Sequence, residues 1–192
     1  MTATNLPARA KAILLTPATE WPVIAGEPAT TQGLYLGYIV PLSAIPPVAG
    51  FVSLSVLGIA VPGIGAARVG IGAGLANMVV GYVVGLIGIF LLALLVDFLA
   101  PRFGGQSDRM QALKTVTYSC TAGWVASIGQ LVPWIGGFIA LAGGIYSVYL
   151  LYLGLPLTMT CPKEKSAIYT GVAVLAAILI GVALSSLSGV IH

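Results

Sequence analysis

The sequence predicts an all-α fold: an integral membrane bundle of five transmembrane helices, preceded by an N-terminal amphipathic helix lying in the membrane interface. Three observations lead there. Eight basic and five acidic residues make 7% of the chain charged, against about 25% in a soluble domain, and mean hydropathy is +1.05. The charges stand far apart. Lysine and arginine fall almost wholly on alternate connections.

The spans follow from the gaps between charges. Arg68 to Asp97 leaves 28 uncharged residues and Lys165 to the C-terminus leaves 27, enough for one span each when a span needs about 20. Lys114 to Lys163 leaves 48, enough for two, with "LVPWIGG" (Leu131 to Gly137) as the turn, because Pro133 has no amide hydrogen and the glycines loosen the chain. Glu27 to Arg68 leaves 40, whose apolar part, Leu34 to Ala60, contains Pro41, Pro46 and Pro47. It reads as one kinked span, with a re-entrant hairpin at Pro46-Pro47 as the alternative. The expected spans are 34–58, 72–98, 114–131, 134–158 and 167–190, in a unit 33–192 that follows a cytoplasmic segment 1–32. No secretory signal peptide is expected, since the first apolar run begins near residue 34 and is too long.

Orientation follows from charge. With the N-terminus inside, the inner segments hold Arg9, Lys11, Arg102, Arg109, Lys114, Lys163 and Lys165, and the outer ones only Arg68. Arg102, Arg109 and Lys114 are then expected to face anionic headgroups, worth about 1 kcal/mol each. The C-terminus falls outside, in the periplasm if the membrane is a bacterial inner one. In the N-terminal segment, Leu6, Ala10, Ile13 and Leu14 share one face of a helix from Leu6 to Leu15. Arg9 and Lys11 flank that face with snorkelling stems, Pro17 stops the helix, and Trp21 is an interface anchor.

Helices in lipid associate through close backbone approach. The last span carries Ala173, Ala177, Gly181, Ser185 and Gly189 at four-residue spacing. The second carries Gly74, Gly81 and Gly88 at heptad spacing, with Gly85 and Asn77 close by. These stripes predict tight interfaces, within the bundle or between copies.

Asp97, near the inner end of the second span, is either a proton or ion relay or a carboxylate paired with Arg102 or headgroup water. Asn77, Gln130 and the run "TVTYSCT" (Thr115 to Thr121) either line a solute path or hydrogen-bond between helices. Tyr146, Tyr149 and Tyr152 form an aromatic seam, a ligand wall or boundary anchors. Cys120 and Cys161 lack zinc-site spacing, and the lone histidine, His192, ends the chain. No metal, cofactor or catalytic motif is expected, and no nucleic acid, because no basic patch alternates with stacking aromatics. The expected partners are anionic lipid headgroups and either a second copy or another integral membrane protein. A small ion or solute transporter is the alternative reading.

The order of short motifs resembles bacterial members of the Yip family, the Ypt/Rab-interacting membrane proteins. The motifs are Phe103-Gly104-Gly105, Ala112 to Lys114, Pro133 to Gly136, Ile145 to Ser147 and Leu153 to Leu155, preceded by "LLTPATEWPVIAGEP" and "YIVPLSAI". The resemblance implies a five-span bundle with a cytoplasmic N-terminus and a role in organising membranes. The Asp-Leu-Tyr-Gly-Pro signature of eukaryotic members is missing, and a proline common in bacterial relatives is replaced around Thr121-Ala122. Fold and topology therefore carry over, and GTPase binding does not.

Overall fold

The computed structural model describes residues 6–61, 65–132 and 134–190. The chain runs as α1 (Leu6–Leu15), α2 (Pro17–Gly26), a long rod α3 (Thr31–Leu57), a hairpin of β1 (Ile59–Val61) and β2 (Gly65–Ala67), then α4 (Ile71–Leu99), α5 (Arg109–Ala126), α6 (Gly136–Thr158) and α7 (Lys163–Val190). Pro133 of the expected turn and His192 lie outside the described residues.

Among the described residues, four helices are long and apolar enough to cross a membrane: Thr31–Leu57, Ile71–Phe103, Gly136–Thr158 and Lys163–Ser186. The first is one irregular rod rather than a hairpin. Its prolines fall in the first turns of two helical segments, Val40–Ser43 and Ile45–Phe51, where a missing amide donor costs little, and two π-helical stretches, Tyr35–Ile39 and Val52–Leu57, flank them. Gly58, at φ 81°, ends it. The antiparallel hairpin pairs Ile59 with Ala67 and Ala60 with Ala66. No sequence signal led to it.

α5 is the exception in hydropathy and the centre of the bundle. Eleven of its 18 residues are buried, among them Thr115, Thr117, Ser119 and Thr121. A helix walled by other helices presents little surface to lipid, so its polar side chains can bond inward. Thr115 meets the Thr158 hydroxyl and Thr121 lies 2.9 Å from the Tyr38 hydroxyl. Asp108 caps its N-terminus, accepting from the amides of Met110 at 2.9 Å and Gln111 at 3.0 Å.

Pro17 stops α1 and also opens α2, where its fixed φ suits the first turn. The two N-terminal helices join the same core as the long ones: Ile13, Trp21 and Ile24 are buried with Ile39, Val96, Val116, Leu150 and Tyr169. Trp21 is therefore no interface anchor. It is fully buried, edge-on to Tyr118, and a β-carbon on Gly154 would stand 2.7 Å from its ring. Only glycine at position 154 lets the indole approach α6.

Candidate functional site

Three places gather the residues with functional potential. The first is the end of the bundle where α1 and α2 dock. Arg9 is buried, although its sequence pattern suggested a snorkelling stem. Its Nη2 donates to both carboxylate oxygens of Glu27 at 2.6 Å, and its Nη1 donates to Glu20. Burial works against the charged guanidinium. The hydrogen bond to Glu27 and the charges of Glu20 and Glu27 outweigh it and hold the pKa above its ordinary value. The signal for this cluster was present: Glu20 and Glu27 are the only acids before Asp97 and stand one heptad apart.

Lys114 also departs from expectation. It does not reach for headgroups. It is 3% exposed, and its ammonium donates to the carbonyls of Ile24, at 2.9 Å, and Glu27. Gln111 donates to the Ala25 carbonyl at 2.9 Å, and Tyr146 to the Leu14 carbonyl at 2.7 Å. These are the orphan carbonyls at the C-terminal ends of α2 and α1, where the helix dipole is negative. The bundle thus supplies the caps that the N-terminal helices lack. Tyr146 also lies against Tyr149, their ring centroids 5.6 Å apart, and Tyr149 and Tyr152 are exposed.

Asp97 is not paired with Arg102. Its Oδ1 accepts from the Ser107 hydroxyl at 2.8 Å, and Oδ2 lies 4.0 Å from Nε of Arg109, whose side chain is 85% exposed. Arg102 sits over the Phe98 ring at 4.7 Å. The loop after α4 closes back on its own helix. Gly104 takes the left-handed conformation, φ 80°, and Gly105 packs so tightly that a β-carbon would stand 2.5 Å from the Met159 carbonyl. The Gln106 amide donates to that carbonyl at 2.9 Å, fastening this loop to the α6–α7 connection.

The second place is between α4 and α7. Gly81, Gly85 and Gly88 of one helix and Ala177, Gly181 and Ser185 of the other line a single cleft of about 380 Å³. Ala173 is fully buried above it, and Gly88 approaches Leu184, 3.5 Å from where its β-carbon would be. A β-carbon at Gly81, Gly85 or Gly181 would meet nothing within 4 Å. Gly74 does not share the cleft; it packs against the Ser55 hydroxyl and Phe51 of the rod. Gly189 lies in the last turn of α7, outside the residues whose side chains are described.

The third place is a recess at the opposite end of the bundle from the docked helices. It brings together Asn77 of α4 and Gln130, which follows α5, beside Pro46 and Pro47. Cys120 and Cys161 are free thiols, the latter 3.5 Å from the Ser166 hydroxyl. Among the described residues no three histidine, cysteine or acidic side chains form a metal-binding group.

Searches of curated proteins and of solved structures find no match. A sequence model of the Yip1 domain matches residues 11–185, from the middle of α1 to the last turns of α7, and gives the family without a branch within it. The family is not a known enzyme family. With four helices among the described residues long and apolar enough to span a bilayer and a match over nearly its whole length, the chain belongs to the Yip1 domain family of multi-pass membrane proteins.

Proposed function

We propose that this chain is a non-enzymatic, five-span membrane protein that acts through helix contacts, as a homo-oligomer or as the accessory subunit of a larger membrane assembly. The observation that carries this reading is the glycine-lined cleft between α4 and α7. Small residues in lipid-facing helices permit close backbone approach. At Gly81, Gly85 and Gly181 nothing within the chain uses that closeness. A ridge of a neighbouring helix fits there.

The fifth crossing is α5 with its short 3-10 continuation to Leu131. Those 23 residues, Arg109 to Leu131, reach about 35 Å, enough to traverse a hydrocarbon core of about 30 Å. Short connections tie both ends to spanning helices, which supports a crossing. An odd number of crossings then places the termini on opposite sides, and seven cations against one favour an N-terminus in the cytoplasm. Exposed Arg102 and Arg109 are available to anionic headgroups on that side. The missing Asp-Leu-Tyr-Gly-Pro signature supports a bacterial inner membrane over a vesicle-traffic setting.

Gly85→Ile with Gly181→Ile tests the contact reading. Both β-carbons point into open space, so the single chain tolerates the change. Native mass spectrometry in mild detergent is expected to show an oligomer for the parent and its loss in the variant. A parent that is wholly monomeric and partner-free, or an oligomer unaffected by the change, overturns the proposal.

A further inference from the structure

The recess beside Pro46 and Pro47 is not accounted for by helix contacts. It measures about 390 Å³ and receives uncharged hydrogen-bonding side chains from three elements: Ser55 of the rod, Asn77 of α4 and Gln130 after α5. The Ser55 hydroxyl is buried and has no hydrogen-bond partner. The carboxamides of Asn77 and Gln130 make no hydrogen bond to another described residue. Gln130 Oε1 turns inward, 3.7 Å from where a β-carbon on Gly50 would lie. Polar groups at membrane depth ordinarily bond between helices, and leaving one buried and unpaired costs about 1–3 kcal/mol. Here the Ser55 hydroxyl is shut against Gly74, while the two carboxamides line an open space instead.

Depth identifies the chemistry that belongs there. Ile71–Phe103 is 33 residues, about 50 Å of helix against a hydrocarbon core of about 30 Å, so a centred, upright helix extends about 10 Å beyond it at each end. Asn77 lies six residues from Ile71, about 9 Å along the axis, and so at the hydrocarbon boundary. That is the level of lipid ester carbonyls, which accept hydrogen bonds and carry no charge. Among the described residues no charged side chain lines the recess, so none of them selects a phosphate or an acidic headgroup. Leu54 and Met78 provide an apolar wall for the chain below the ester.

The geometry points to a binding site for the glycerol-ester region of a membrane lipid, held through its carbonyls by Asn77 and Gln130 and indifferent to headgroup charge. This goes beyond the helix-contact reading and uses residues outside the glycine cleft, so either can fail alone.

The test is a competition. The purified protein is equilibrated with equal amounts of a diester phosphatidylcholine and its diether analogue, and retained lipid is read by native mass spectrometry. Ether oxygens are poor acceptors. The parent is expected to favour the diester by about fivefold for each hydrogen bond made. Asn77→Leu with Gln130→Leu is expected to bring the ratio to about one; Asn77 is exposed and Gln130 half-exposed, and unchanged helical content confirms that the variant is folded. Equal retention of ester and ether by the parent overturns the site, as does an ester preference that survives in the double variant. A second competition, between phosphatidylcholine and phosphatidylglycerol, should show no difference that depends on Asn77 and Gln130. A preference for the acidic lipid that the double variant abolishes also overturns it.

Discussion

Replacing Lys114 by methionine tests how the N-terminal helices are held. The two side chains have similar length, so packing is nearly kept while the ammonium is lost. Two opposing effects decide the outcome. Holding a lysine at 3% exposure costs several kcal/mol of desolvation, which methionine avoids. Against that, the charged donor makes two hydrogen bonds, to the carbonyls of Ile24 and Glu27, each worth about 1.5–3 kcal/mol. Removing it leaves the buried Ile24 carbonyl without a donor, at about 1–3 kcal/mol, and the half-exposed Glu27 carbonyl to water. The desolvation cost is already reduced by the negative end of the α2 dipole, so the loss of caps dominates. Gln111 continues to cap Ala25. The expected net effect is about 2.8 kcal/mol against the docked state of α1 and α2, which is about a hundredfold in its opening equilibrium. Hydrogen exchange followed by mass spectrometry reads this directly: amides of Pro17–Gly26 should exchange about a hundredfold faster, and those in the middle of α6 should not change. Unaltered exchange in α2 would refute the capping argument.

Two further variants probe neighbouring features. Arg9→Ala leaves Glu20 and Glu27 facing each other without their cation and should cost about 3–5 kcal/mol, seen as a lowered melting temperature in detergent, with part recovered when both acids are changed to glutamine. Gly105→Ala drives a β-carbon against the Met159 carbonyl, 2.5 Å away, and should cost about 1–3 kcal/mol by forcing the α4–α5 loop and the α6–α7 connection apart, measured as faster proteolysis between Gly104 and Asp108.

The long apolar helices were legible because lipid imposes one simple requirement, an uninterrupted run of the right length. Ile71–Phe103 and Lys163–Ser186 sit where the gaps between charges put them. α5 was placed by those gaps, but its central position was not visible, since burial among helices leaves no period of polarity to read. Arg9 and Lys114 were misjudged for a related reason. A lysine or arginine near a membrane boundary reads as a headgroup contact, and only tertiary structure reveals a helix end or two carboxylates waiting nearby, as for Lys114 and Arg9. Asn77 and Gln130 stood out as polar residues in apolar runs. Their meeting in one recess required the path of the rod through Pro46 and Pro47.

The capping of α1 and α2 also constrains the order of events at the ribosome. These helices are the first described elements to be synthesised, yet every group that fastens them comes later: Gln111 and Lys114, then Tyr146, then the gap at Gly154 that receives Trp21. The two helices therefore gain their first caps only when α5 is made and their last contacts only when α6 follows. Until those later helices arrive, α1 and α2 are open to chaperones and proteases.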